Sequence, residues 1–221
     1  MKMDMYPVIS ENPVLAIFRN VPPELTLDYA EAVVRGGISF FEIALNSADG
    51  IGQIKALREH FGDRCRIGAG TAITVESARE ALDAGAQFLL TPGTPLDVLE
   101  YCAVNDIALL PGVLTPSDVA VSLQYGFKTM KLFPARSVPP GYVKALKGPY
   151  DDTDYIAIGG VSPSNIGQFF EEGYAGVGMA GGLMPEEMVK NEKWEEGAAY
   201  IRSLLDSIDV YAKKGICHED S

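Results

Sequence analysis

Two ionisable residues interrupt apolar runs, and an interruption of that kind needs a reason. Lys131 lies in Phe127-Lys128-Thr129-Met130-Lys131-Leu132-Phe133-Pro134, where strand alternation puts Thr129, Lys131 and Phe133 on one face. If that face is an interior, desolvation lowers the lysine pKa. The shift matters because a free lysine, with pKa about 10.4, is only about one part in 2,500 neutral at pH 7. Brought down to about 7 to 8, the amine is abundant enough to attack a carbonyl and form a Schiff base. A register shifted by one residue puts the same lysine on an outer, solvated face. Glu42 breaks Phe40-Phe41-Glu42-Ile43-Ala44-Leu45, and a carboxylate there is costly unless it is paired or used. It either pairs with Arg19 or Lys131 or moves protons beside a Schiff base, and one residue can do both.

Glycine pairs form the second group. Gly68-Ala69-Gly70-Thr71, Ile158-Gly159-Gly160-Val161-Ser162 and Gly176-Val177-Gly178-Met179-Ala180-Gly181-Gly182 each close an apolar segment, and a helix start follows the last near Pro185. Glycines at such turns let backbone N–H groups approach an anion such as phosphate. The chain has 18 Lys and Arg against 30 Asp and Glu, a formal charge of −12. Nucleic acid is therefore not expected as a partner, and an anionic substrate would need those N–H groups with Arg19 and Lys131 as local positive potential. His60 and His218 are the only histidines; they form neither a pair nor an HExxH motif, so no metal is expected, a carboxylate-only Mg²⁺ site being the exception left open. A GxSxG elbow is absent from the sequence.

The elements that must position these residues follow one rhythm. Four amphipathic helices end in Arg35-Gly36-Gly37, Ala84-Gly85, Tyr125-Gly126 and Glu172-Gly173, each with an apolar strand a few residues on. Apolar runs and breakers give eight strands: Val14 to Arg19, Phe40 to Leu45, Arg66 to Gly70, Phe88 to Thr91, Ile107 to Pro111, Thr129 to Phe133, Tyr155 to Gly159 and Gly176 to Met179. Helices are read at Asp28 to Arg35 and Thr115 to Tyr125. Eight βα alternations in 221 residues predict an α/β fold, a (β/α)₈ TIM barrel occupying 1–221 as one domain, a little below the roughly 250 residues usual for it. An open dinucleotide-binding sheet is disfavoured, since Phe18-Arg19-Asn20-Val21-Pro22-Pro23 is no glycine-rich turn. In a barrel the site belongs at the C-terminal strand ends, which nominates Arg19, Glu42 with Asn46, Thr71, Thr91, Lys131 and the glycine pairs. No apolar run approaches the about 20 residues of a membrane span, and Met1 to Ser10 lacks a signal sequence, so a soluble cytoplasmic protein without membrane contact is expected. Cys65, Cys102 and Cys217 have no pairing pattern and read as reduced, the first two packed. The tail beyond Lys213 reads as frayed.

Six motifs in order then resemble a known family: Phe41-Glu42-Ile43-Ala44-Leu45-Asn46-Ser47, Ile67-Gly68-Ala69-Gly70-Thr71, Thr91-Pro92-Gly93, Leu110-Pro111-Gly112, Met130-Lys131-Leu132-Phe133-Pro134 and Ile158-Gly159-Gly160-Val161-Ser162-Pro163. They are similar to the class I aldolases of 2-keto-3-deoxy-6-phosphogluconate and 2-keto-3-deoxy-6-phosphogalactonate, over Val14 to about Leu183. The resemblance implies a lyase on a (β/α)₈ barrel without metal or other cofactor, usually a homotrimer. Such an enzyme reversibly splits a 2-keto-3-deoxy-6-phospho sugar acid, its small-molecule keto acid substrate, into pyruvate and glyceraldehyde 3-phosphate. By the same resemblance Lys131 is the Schiff-base lysine, on the inner face, and Glu42 the general acid/base. Thr71 lies near the pyruvyl group, Pro92 and Phe133 wall the pocket, and Arg19 holds the carboxylate or an adjacent oxygen. Gly159 and Gly160 match the phosphate turn, joined by Gly181 and Gly182. Two positions depart from the pattern. Asn46 stands where gluconate-type members have Arg, and Leu45-Asn46-Ser47 resembles the galactonate type. Gly181 stands where a Ser is common, removing a hydroxyl donor unless Gly182 N–H or Ser162 compensates. That makes 4-hydroxy-2-oxoglutarate, cleaved to pyruvate and glyoxylate, an alternative substrate. A phosphate-sugar isomerase or epimerase on the same barrel is the rival activity.

Overall fold

A computed structural model describes residues 4–215. Its strands are β1 Val14–Phe18, β2 Phe40–Ala44, β3 Arg66–Gly70, β4 Leu89–Leu90, β5 Leu109–Leu110, β6 Gly112–Val113, β7 Thr129–Leu132, β8 Asp154–Ile158 and β9 Gly176–Met179. The helices are α1 Tyr6–Glu11, α2 Thr26–Arg35, α3 Gly50–Phe61, α4 Val75–Asp83, α5 Leu96–Val104, α6 Pro116–Gln124, α7 Tyr142–Lys147, α8 Ile166–Glu171, α9 Glu186–Lys190 and α10 Trp194–Gly215. Every strand pair is parallel, in the order β5-β4-β3-β2-β1-β9-β8-β7-β6.

Nine strands stand where eight were expected, and Pro111 is the reason. It has no N–H for the ladder, so the fifth stave breaks into β5 and β6, which flank it. β5 pairs with β4 and β6 with β7. The Pro111 carbonyl still accepts from Lys131 N at 2.9 Å, and Gly112 N turns to Thr91 Oγ1 at 3.1 Å. The broken stave thus joins the two ends of the sheet into a nearly closed barrel of eight staves.

Side chains alternate between two apolar layers. Leu15, Ile17, Phe40, Phe88, Leu90, Leu110, Ile156 and Ile158 fill the barrel, while Ala16, Phe18, Phe41, Ile43, Leu89, Met130, Leu132, Tyr155 and Ala157 face the helices. The helix ends match the sequence pattern: Gly37, Gly85, Gly126 and Gly173 all adopt positive φ (108°, 103°, 83° and 90°), a conformation glycine reaches without a Cβ penalty. Thr115 caps α6 through a reciprocal capping box with Asp118 rather than forming its first residue, and α2 opens two residues earlier than expected, at Thr26.

α1 was not anticipated. It closes the N-terminal mouth: Met5 and Ile9 pack into the interior cluster, Gly176 leaves room for Ile9, and Asp4 Oδ1 accepts from the buried Thr129 hydroxyl at 2.7 Å. Cys65 and Cys102 are buried free thiols, pushed up by burial to about 11 and about 12. α10 continues to Gly215, past the point where fraying was expected; Cys217 and His218 lie outside the described residues.

Candidate active site

Glu42 sits mid-β2 beside Ile17 of β1 and Gly68 of β3. Its sheet neighbours Phe41 and Ile43 face the helices, so its carboxylate enters the barrel, where it is 1% exposed. Lys131 occupies the same inward position on β7, between outward-facing Met130 and Leu132, and is 3% exposed. Its Nζ stands 5.0 Å from the centroid of the Phe133 ring, within cation–π range. The sheet register therefore puts the lysine on the inner face.

Burial acts on the two groups in opposite directions. It raises the Glu42 carboxyl above the usual carboxylate range, with Lys131 and then Arg19 pulling it back. It lowers the Lys131 ammonium; Glu42 pulls back up and Arg19 pushes further down. A raised acid facing a lowered base favours the neutral amine and the protonated carboxyl, the nucleophile and the proton donor that imine formation requires. Neither Glu42 oxygen accepts a hydrogen bond among the described residues. Such orphaned acceptors cost free energy, and a polar substrate atom would relieve that cost.

Gly70 is what makes room for this carboxylate. A Cβ there would fall 1.5 Å from Glu42 Oε1, and one at Gly68 would fall 2.4 Å from the Phe88 ring. The Gly68-Ala69-Gly70 glycines are therefore spaces for side chains of adjacent strands, not an anion turn as their sequence suggested. The sequence signal was a small inward-facing residue two along from another, but the occupant of the space belongs to a different strand.

At the C-terminal ends of β1, β2 and β3 the remaining polar residues connect. Thr71 holds φ 64°, unusual and strained for a β-branched residue, and its hydroxyl donates to Asn46 Oδ1 at 3.4 Å. Asn20, next to Arg19, donates its N–H to Ser47 Oγ at 3.1 Å. Arg19 and Asn46 are exposed at the mouth, and the charge of Arg19 reaches both Glu42 and Lys131. Pro92 is exposed at the end of β4, while its carbonyl carbon backs onto Gly112. Thr91 serves the scaffold instead: its hydroxyl donates to Gly93 O and accepts from Gly112 N.

The late glycines form a second region on the same rim. Gly159 and Gly160 take successive positive φ of 95° and 82°, and Gly182 takes 86°. Gly182 approaches Pro163, so the β8 and β9 loops touch, and a Cβ on Gly181 would meet open space. Ser162 cannot compensate with its N–H, which already donates to Asn165 Oδ1 at 2.8 Å; its hydroxyl is paired with Ser164. Among the described residues no group of three or more His, Cys, Asp or Glu is placed to hold a metal ion.

The profile of the family described as KDPG and KHG aldolase matches residues 6–199. The chain belongs to that family. This aldolase is 32% identical to the 2-dehydro-3-deoxy-phosphogluconate aldolase of Pseudomonas aeruginosa, covering 88% of this chain and 87% of the relative. It is 29% identical to the 2-dehydro-3-deoxy-6-phosphogalactonate aldolase of Escherichia coli, covering 89% and 96%. In structure it is similar to the KDPG aldolase of Legionella pneumophila with pyruvate captured at low pH as a covalent carbinolamine intermediate, with a TM-score of 0.84 at 29% identity over 92% of this chain and 99% of that one. The aldolase is thus a carbon–carbon lyase of class I on a TIM-like barrel. Family membership sets aside the isomerase or epimerase reading.

Proposed function

We propose that this aldolase cleaves a 2-keto-3-deoxy-6-phospho sugar acid to pyruvate and glyceraldehyde 3-phosphate through an imine on Lys131. The observation that carries the reading is the buried, hydrogen-bond-free Glu42 carboxyl group sharing the interior of a parallel barrel with a buried lysine. Lys131 Nζ adds to the C2 carbonyl, forming a carbinolamine, and loss of water leaves a protonated imine that accepts electrons from the C3–C4 bond. Glu42, directly or through water, takes the C4 hydroxyl proton as that bond breaks and the aldehyde leaves. The remaining enamine is protonated at C3 and hydrolysed to pyruvate, restoring the free amine. Arg19 holds the substrate carboxylate, Thr71 and Asn46 flank the pyruvyl end, and Phe133 and Pro92 wall the pocket. The Gly159-Gly160 and Gly181-Gly182 turns take the phosphate.

Gly181 favours a second reading, because open space replaces a hydroxyl donor. In that reading 4-hydroxy-2-oxoglutarate is the better substrate, cleaved to pyruvate and glyoxylate. Measuring kcat/KM for pyruvate release from both 6-phospho epimers and from 4-hydroxy-2-oxoglutarate decides: preference for a phosphorylated acid supports the first reading, and preference for the unphosphorylated acid overturns it.

We also propose a homotrimer working in the cytoplasm. Ile73 and Leu114, on the loops after β3 and β6, and Leu96, at the start of α5 after β4, stand exposed, an apolar rim suited to contact between copies. The relation to a cage built by fusing symmetric oligomeric domains points the same way, and buried free thiols fit a reducing compartment. Light scattering is expected to give three times the 23.8 kDa chain mass; a monomer contradicts the assembly. No helix among the described residues is long and apolar enough to cross a membrane.

A further inference from the structure

We propose that Arg136 is a substrate-phosphate ligand, supplying from the β7 loop the donor that Gly181 lacks. The proposal rests on the phosphate-binding reading of the glycine turns given above. Three observations converge on this side chain.

The first is position. Arg136 lies in the short 3₁₀ turn Ala135–Ser137 just after β7, the strand that carries Lys131. Its backbone N–H donates to Gly159 O at 3.0 Å, which ties it to the Gly159-Gly160 turn of the neighbouring stave. The second is packing. Arg136 Cβ and Cδ lie 2.5 Å and 2.8 Å from where a Gly160 Cβ would stand. The aliphatic stem therefore runs across the glycine itself, and any side chain at Gly160 would displace it. The third is the absence of a competing partner. Arg136 is exposed and forms no ion pair among the described residues, although the chain carries a net charge of −12.

Chemistry fits the place. A phosphate on these turns would meet backbone N–H groups with no nearby hydroxyl at Gly181, and Ser162 N–H is already taken by Asn165. A guanidinium offers several N–H donors in a planar fork matched to phosphate oxygens, and it stays charged at any working pH. In an acidic protein it also draws an anionic substrate toward this rim rather than elsewhere on the surface.

The test separates charge from packing. Arg136→Met keeps an unbranched stem over Gly160 and removes the charge; Arg136→Lys restores a charge without the fork. For each, and for the wild type, kcat/KM is measured on the 6-phospho keto acid and on 4-hydroxy-2-oxoglutarate, with borohydride trapping of pyruvate as the check that the Lys131 site is intact. The expected result for Arg136→Met is a ratio of phosphorylated to unphosphorylated kcat/KM about tenfold below wild type, the scale of one charge-assisted hydrogen bond at a solvated rim. The loss should lie in KM for the phosphorylated acid, with partial recovery in Arg136→Lys. An unchanged ratio in Arg136→Met, with the wild type still preferring the phosphorylated acid, overturns the role of Arg136 while leaving the phosphate site standing. A wild type without that preference overturns both.

Discussion

At the scale of residues, the site rests on one carboxylate and one amine that the same burial drives in opposite directions. Glu42 raises the Lys131 pKa through its negative charge, against the larger lowering by desolvation. Replacing Glu42 with Gln removes the raising influence, so the neutral amine persists to lower pH. The rate of borohydride-trapped pyruvate adduct formation in Glu42→Gln should therefore climb at lower pH than in the wild type, while kcat for carbon–carbon cleavage falls by roughly 10² to 10⁴ for want of the general base. A pH profile that stays in place or moves upward contradicts the coupling. Both residues were legible in the sequence because each breaks an apolar run. The purpose of Gly70 was not: its missing Cβ makes way for a carboxylate on the next strand, and only the register between β2 and β3 reveals that contact. Alternation alone left Lys131 on either face, since a shift of one residue reverses every side chain.

At the scale of elements, the glycine-ended helices were readable since glycine at C′ has one common physical cause, the left-handed turn it permits. Two features were not. Pro111 looked like the end of a strand and is instead a break within a stave, visible only once its two flanks are seen pairing with different neighbours. α1 spans six residues, too few to show a helical period. Its role is still mechanical. Ile9 is 0% exposed and seals the barrel floor with Met5, beneath the layer that holds Lys131 and Glu42. Ile9→Ala should cost about 2–5 kcal/mol in denaturant unfolding, as expected for a buried aliphatic truncated to a cavity. A change within about 0.5 kcal/mol would show that α1 is a surface appendage rather than a plug.

At the scale of the whole molecule, a parallel barrel collects residues from distant parts of the sequence onto one rim, and order along the chain becomes order around the mouth. Arg19, Glu42 and Thr71 come from β1 to β3 and their loops, Lys131 from β7 and Phe133 from just after it, and the late glycines from the loops after β8 and β9. The strand rhythm implied this collection. Which polar groups would be taken by neighbours, as Ser162 N–H is by Asn165, depended on loop geometry that no periodicity encodes. Imine formation by the buried amine of Lys131 is put to the test by intact-mass spectrometry after incubation with pyruvate and borohydride. One reduced pyruvyl group is predicted on the wild type and none on folded Lys131→Ala. A folded wild type that acquires no adduct, or a Lys131→Ala variant that acquires the same one, would contradict it.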